Sequence, residues 1–151
     1  MLTSLLIALL LKADRVLIEK KAHRLTLLNH GVVVKTYRVC LGSHPVGPKE
    51  REGDGRTPEG IYTIDSRNAN SKFHRSLHVS YPNAADRARA RRLGVSPGGA
   101  IMIHGVPNRW RLLGPAFQLT DWTKGCIAVR DNEIEEIWNA VPNGTPVEIR
   151  P

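Results

Sequence analysis

Acyl transfer at a peptide carbonyl needs a nucleophile, a base beside it and donors for the oxyanion, and this chain offers one compact set, His104 and Cys126. A thiolate is the reactive form of cysteine, and a free thiol is mostly protonated at neutral pH. An imidazole next to it can take the proton and later return it to the leaving amine. The Gly125-Cys126 junction supplies backbone N–H groups that can point at a developing oxyanion. The carbonyl of Gly105 is in place to accept the other ring N–H of His104. A lone cysteine is more often structural than reactive, and Cys40, at the end of the alternating run Val32 to Leu41, reads as a buried small hydrophobe. Cys126 differs because it follows a glycine at the end of a loop and has a histidine partner.

Two short strands, one ending at His104 and one beginning at Cys126, would bring the pair together if they lie side by side. The rest of the chain reads as the scaffold for them. Strands are expected over Arg15 to Glu19, Arg24 to Leu28, Gly31 to Leu41, Ile61 to Asp65, Leu77 to Tyr81, Ile101 to Ile103, Cys126 to Val129 and Pro146 to Ile149. Asn29-His30-Gly31 is a hairpin turn signal. Helices are expected over Ala84 to Leu93, with Asn83 as N-cap, and from an Asp131 cap through Ala140. The 13 glycines and 10 prolines fit strands joined by loops. The glycine-rich stretch 42–60 is long enough to be functional rather than a plain connection. The fold class is mainly β with two or more helices (α+β), in one domain over 15–151; 151 residues can bury a single core.

Ile101-Met102-Ile103-His104-Gly105 followed by Thr123-Lys124-Gly125-Cys126-Ile127 resembles the paired signature of the L,D-transpeptidase catalytic domain (YkuD type). Arg24 to Leu28 and Lys35 to Leu41 resemble that family's opening hairpin, with Gly42 at its end. Thr57-Pro58-Glu59-Gly60-Ile61-Tyr62 and Gly144-Thr145-Pro146-Val147 match two further segments, so the likeness runs from about Arg15 to Arg150. It implies a β-sandwich-like catalytic domain that acts on peptidoglycan stem peptides. Cys126 would be the nucleophile, His104 the base and Gly105 its orienting carbonyl, with oxyanion donors at Gly125 and Cys126. D-alanine leaves from an acyl-enzyme, which is resolved as a 3-3 cross-link, a link to a wall protein, or a hydrolysed stem. No cofactor or metal is implied. Three features depart from the pattern. Lys124 stands where a histidine is usual, and Ala128 where an arginine is usual. The spacer between His104 and Thr123 is longer than usual. Lys124, if close to Cys126, favours the thiolate. Arg109, Arg111 or Arg130 can replace the arginine in holding a substrate carboxylate. Asp121-Trp122-Thr123 before the Gly-Cys step resembles a variant branch, some of whose relatives hydrolyse wall linkages; Thr123 and Trp122 are expected to wall the pocket. Lys124 also leaves open a non-catalytic wall-binding module.

The net charge of +8 attracts polyanions. Aromatic residues are only 5%, thin for stacking on bases, and a nucleic-acid partner is not expected. Arg87, Arg89, Arg91 and Arg92 read first as a solvated helix face. His74 and His78 have a spacing that zinc uses on helices, but they fall in a loop-then-strand stretch with no completing ligand. His23 and His30 read as solvated turn residues, and His44 as a residue that can line the substrate groove. Leu2 to Leu11 has the length of a signal-peptide core, too short for a stable membrane span. Residues 1–14 are thus expected to be an export signal to the periplasm or cell envelope, against the alternative of a buried first element.

Overall fold

The computed structural model describes residues 11–151; the apolar run Leu2 to Leu10 and its reading as an export signal lie outside them. Eight strands form the fold, and two of them, Arg15–Glu19 and Pro146–Arg150, alternate buried and more exposed side chains, as expected for a sheet with one covered face. They are β1 (Arg15–Glu19), β2 (Arg24–Asn29), β3 (Val32–Arg38), β4 (Gly60–Ser71), β5 (His74–Val79), β6 (Met102–His104), β7 (Ile127–Ala128) and β8 (Pro146–Arg150). They form one curled sheet in the order β3-β2-β1-β8-β4-β5-β6-β7. Two α-helices, α1 (Ala84–Leu93) and α2 (Asp131–Ala140), and a 3-10 helix over Asn108–Leu119 accompany the sheet. This is the expected mainly β fold with two helices.

The curl comes from β4. Its first residues, Gly60 to Thr63, pair with β8, and the remainder, from Ile64 on, pairs with β5, with two register shifts along the way. Bulges bend a strand and increase its twist. One strand thus serves two halves of the sheet, which explains why it runs past the expected end at Asp65. The chain leaving β3 then crosses to the far edge. Cys40 pairs with Ala128, each N–H donating to the other's carbonyl at 2.9 Å, and Gly42 bridges to Thr123. These bridges tie the two edges together around the core.

The core is Val16 and Ile18 from β1, Leu25 and Leu27 from β2, Ile64, Leu77, Ile103 and Ile127 from the β4-to-β7 half, and Val147 and Ile149 from β8. Ile134, Ile137 and Ala140, three and three residues apart, turn one face of α2 onto it. Asn83 caps α1 as expected, reciprocally with Asp86. Asp86 is itself buried and accepts the Tyr62 hydroxyl at 2.8 Å. At α2 the cap is Arg130 instead of Asp131, because Glu133 Oε1 accepts the Arg130 N–H at 3.0 Å. Asp131 is thereby released to accept the Val106 N–H at 2.9 Å, tying the helix start to the residues after His104.

Ile127 is fully buried between the sheet halves, directly opposite Ile103. Truncation of such a side chain costs about 2–5 kcal/mol, since it loses apolar burial and leaves a cavity. Ile127→Ala should lower the unfolding free energy by that amount, read from urea denaturation.

Candidate active site

The pairing of β6 with β7 decides what the site contains. The two strands run parallel, with Ile103 opposite Ile127 and His104 opposite Ala128. Side chains alternate between faces along a strand, and paired residues share a face. Ile103 and Ile127 therefore enter the core, while His104 and Ala128 project to the other side together with Cys126, two residues back. His104 and Cys126 open into the same cleft of about 1180 Å³, whose walls also include Lys49, Phe73, Trp110 and Trp122.

His104 is 2% exposed. Its Nδ1 lies 2.6 Å from the Gly105 carbonyl oxygen, which can only accept, so Nδ1 carries the proton and Nε2 the lone pair. Nε2 has no hydrogen-bond partner among the described residues. Phe73 stacks on the ring with centroids 4.2 Å apart, and Trp122 lies at 6.0 Å. Burial pulls the imidazole pKa down to about 4, only partly offset by the Gly105 carbonyl. The ring is a neutral base. A methyl group at Gly105 would lie 2.5 Å from Asp131 Oδ1 and 2.9 Å from the Phe73 carbonyl, so packing excludes a side chain there.

Cys126 is half-buried. Its thiol donates to the Ala100 carbonyl at 3.3 Å. Burial pushes its pKa up, opposed by the Met102 backbone and by the charge of Lys49. Burial thus favours the neutral form of both groups. Thr123 braces the turn before the sulfur: its hydroxyl donates to the Cys126 carbonyl at 2.7 Å and accepts the Gly125 N–H at 3.0 Å. The Gly125 N–H is therefore already committed, and the Cys126 N–H is the donor left for an oxyanion. Gly125 has φ +139°, and a Cβ there would lie 2.7 Å from the Arg56 carbonyl oxygen, so only glycine fits.

Of the other residues expected at the site, Thr123, Lys124, Trp122 and Arg109 line the cleft, as does His44. Arg130 does not: its guanidinium turns to Gln118 Oε1 at 3.0 Å, outside the cleft. The side chain of Arg111 lies outside the described residues. Lys124 is exposed, and the lysine whose charge acts on Cys126 is Lys49. Ala128 is fully buried in a small cluster with Cys40, Val106 and Phe117, leaving no room for an arginine at that position. His23 is not a solvated turn residue: its Nε2 sits 2.8 Å from Asp121 Oδ2, and Asp121 Oδ1 accepts the Leu41 N–H at 2.9 Å. This pair anchors the strip that carries Trp122 and Thr123. His74 and His78 pair with Glu135 and Asp65, at 2.7 and 2.5 Å. Arg87, Arg91 and Arg92 are exposed, whereas Arg89 donates to the Lys49 carbonyl and Asp86.

Phe73 and Lys49 carry no sequence signal of their own. Phe73 sits at a β4–β5 hairpin tip that sequence patterning reads as loop. Lys49 is one cation among many in a glycine-rich stretch.

One cleft thus holds a cysteine and a neutral, buried histidine with an oriented ring. The model of the YkuD family, the L,D-transpeptidase catalytic domain, matches residues 13–149, and the chain belongs to that family. It is 30% identical over 111 residues to the Escherichia coli K12 protein described as "Putative L,D-transpeptidase YafK", covering 72% of this chain and 37% of that one. Among solved structures it resembles the helical cell shape determining protein Pgp2 (K307A mutant) of Campylobacter jejuni, with TM-score 0.70 and 25% identity over 93% of this chain and 47% of that chain. It also resembles L,D-transpeptidase 1 of Mycobacterium tuberculosis, with TM-score 0.56 and 17% identity over 91% and 61%, a likeness of fold. The chain therefore spans 37% of the length of YafK and 47% of the Pgp2 structure.

The depressed His104 pKa makes a stability prediction. Below about pH 6.5 the unfolded chain binds a proton that the folded chain refuses until about pH 4. Stability from this group is then constant above that window and falls as pH drops through it, by up to about 3 kcal/mol. Urea unfolding across the window should show this slope in the wild type and lose it in His104→Gln.

Proposed function

We propose that this chain is a cysteine-dependent L,D-transpeptidase domain acting on peptidoglycan stem peptides through an acyl-enzyme. The observation that carries the reading is His104, neutral and aimed by the Gly105 carbonyl, in one cleft with the Cys126 thiol. Cys126 Sγ attacks the carbonyl of the third stem residue, a diaminopimelate, and its proton passes to His104 Nε2. The oxyanion takes the Cys126 N–H. Collapse breaks the bond to D-alanine, whose amine receives the proton from His104, leaving a thioester. An amine of a second stem or of a wall protein, or water, then attacks the thioester and gives its proton to His104. The products are a 3-3 cross-link, a protein–wall link or a shortened stem, and Cys126 returns to thiol.

The basic side chains at the cleft, Lys49, Lys72, Arg109 and Lys124, suit a substrate that carries several carboxylates. The same reading places the protein at the cell envelope, with residues 1–14 as its export signal. Among the described residues no helix is long and apolar enough to cross a membrane.

Purified protein should release D-alanine from a diaminopimelate tetrapeptide stem. Cys126→Ala should abolish release, and His104→Gln should slow it by about 10²–10⁴-fold. Full turnover by the alanine variant would remove Cys126 as nucleophile. Mass spectrometry of the products separates the three acceptors.

A further inference from the structure

One hydrogen bond fixes a point on the imidazole and not its plane. The bond from His104 Nδ1 to the Gly105 carbonyl leaves the ring free to tilt about that contact. The tip of the β4–β5 hairpin supplies the second constraint. Phe73, at the tip, stacks on the imidazole with centroids 4.2 Å apart and 29° between the planes. The Phe73 carbonyl also accepts the Gly105 N–H at 2.9 Å, so one residue covers the ring and holds the glycine whose carbonyl aims it. The tip is itself fastened from two sides. Asn108, at the start of the crossover, makes three hydrogen bonds to it. Its N–H donates to the Lys72 carbonyl at 2.9 Å, its Nδ2 to the Ser71 carbonyl at 3.3 Å, and its Oδ1 accepts the His74 N–H at 3.2 Å. Ser71 Oγ accepts the Phe73 N–H at 3.0 Å. From α2, Glu135 Oε1 lies 2.7 Å from His74 Nε2 and 3.1 Å from Arg75 Nε. His74 adopts φ +70°, a conformation that a residue other than glycine keeps only where its surroundings impose it.

We propose that Phe73 is a positioning residue for the reaction proposed above, and the proposal rests on that reading: clasped by Asn108, Phe73 holds the His104 ring in the plane that keeps Nε2 available to the Cys126 thiol.

The same stack keeps water from the ring, which is 2% exposed although Phe73 is only half-buried. The charged groups on the elements around His104 are already engaged or solvated. His74 and Arg75 of the hairpin pair with Glu135 of α2, and Asp131 accepts the Val106 N–H. Among the groups lining the cleft, Lys49 pairs with Asp54, while Lys72, Arg109, Lys124 and Glu52 are exposed, so solvent and salt screen them. Cys126 is the remaining titratable group in the cleft. None of these is a cause of the low His104 pKa, which follows from burial, with the Gly105 carbonyl opposing it. Opening a face of the ring to water therefore raises that pKa. A ring freed from the stack also spends less time in the orientation that the Gly105 carbonyl alone cannot enforce.

The test is the titration of His104, followed by NMR through its Hε1 signal, which is assigned among the 6 histidines by its loss in His104→Gln. In the wild type the ring should stay neutral down to about pH 4. Phe73→Ala should raise the midpoint toward 6.5, by at least about one pH unit. In D-alanine release it should lower kcat at least about tenfold and leave KM within about twofold. Phe73→Tyr keeps a ring in the stack and should restore most of the rate. Asn108→Ala should move the midpoint in the same direction by a smaller amount. Circular dichroism and urea midpoints establish that each variant folds, and if Phe73→Ala does not, Asn108→Ala carries the test. An unmoved midpoint in the folded variant overturns the proposal. So does a raised KM at unchanged kcat, which would make Phe73 a wall for the substrate only. The titration needs no wall substrate, so a shifted midpoint in a protein whose wild type releases no D-alanine would sink the activity reading and leave the hold of Phe73 on His104 standing. Normal release with an unmoved midpoint would do the reverse.

Discussion

The register between β6 and β7 is the constraint on which the rest of the structure depends. With a side-chain period of two, a slip of one residue in either strand would turn His104 or Cys126 toward the core and an isoleucine away from it. The register is held from both sides. Ile103 and Ile127 fill the core beneath, and Cys40, on the neighbouring segment, pairs backbone to backbone with Ala128. A two-residue strand such as β7 could not keep its place alone. It does so because it is clamped between β6 and the segment that leaves β3.

The long connection from His104 to Cys126 is then free to be shaped by the site. Parallel strands need such a crossover. Asp131 holds Val106 near its start, and His23 with Leu41 holds Asp121 near its end. Between them Trp110 and Phe117 pack on Trp122, which lies against Phe73. This aromatic wall dries the imidazole and sets its protonation state. The same burial works against the thiolate, so the cleft disfavours the charged form of both groups.

Much of this was legible in the sequence, and the limits are instructive. The strands flanking the hairpin at Asn29-His30-Gly31 and the cap at Asn83 depend on neighbours in the chain, and patterning reads them well. His104 and Cys126 stood out because a glycine adjoins each and the segments around them resemble a known family. The role of Asp131 was misread, since a carboxylate one residue inside a helix looks like a cap until a distant N–H claims it. His23 looked solvated because its partner Asp121 lies far along the chain. Arg130 looked available for a substrate because nothing local reveals Gln118 as its partner. Each miss is a polar group whose partner is remote in sequence, and hydrogen bonds of that kind leave no periodic trace.

The sheet order carries a consequence for the timing of assembly. β8, made last of the strands, occupies a central place between β1 and β4. The half built on β1 to β3 and the half built on β4 to β7 cannot be zipped into one sheet until it arrives. Contacts between residues so far apart in the chain form late and slowly. The two halves that meet at Cys40 and Ala128 are joined through that strand, so the nascent chain would carry its cysteine in an unfinished cleft until β8 is made.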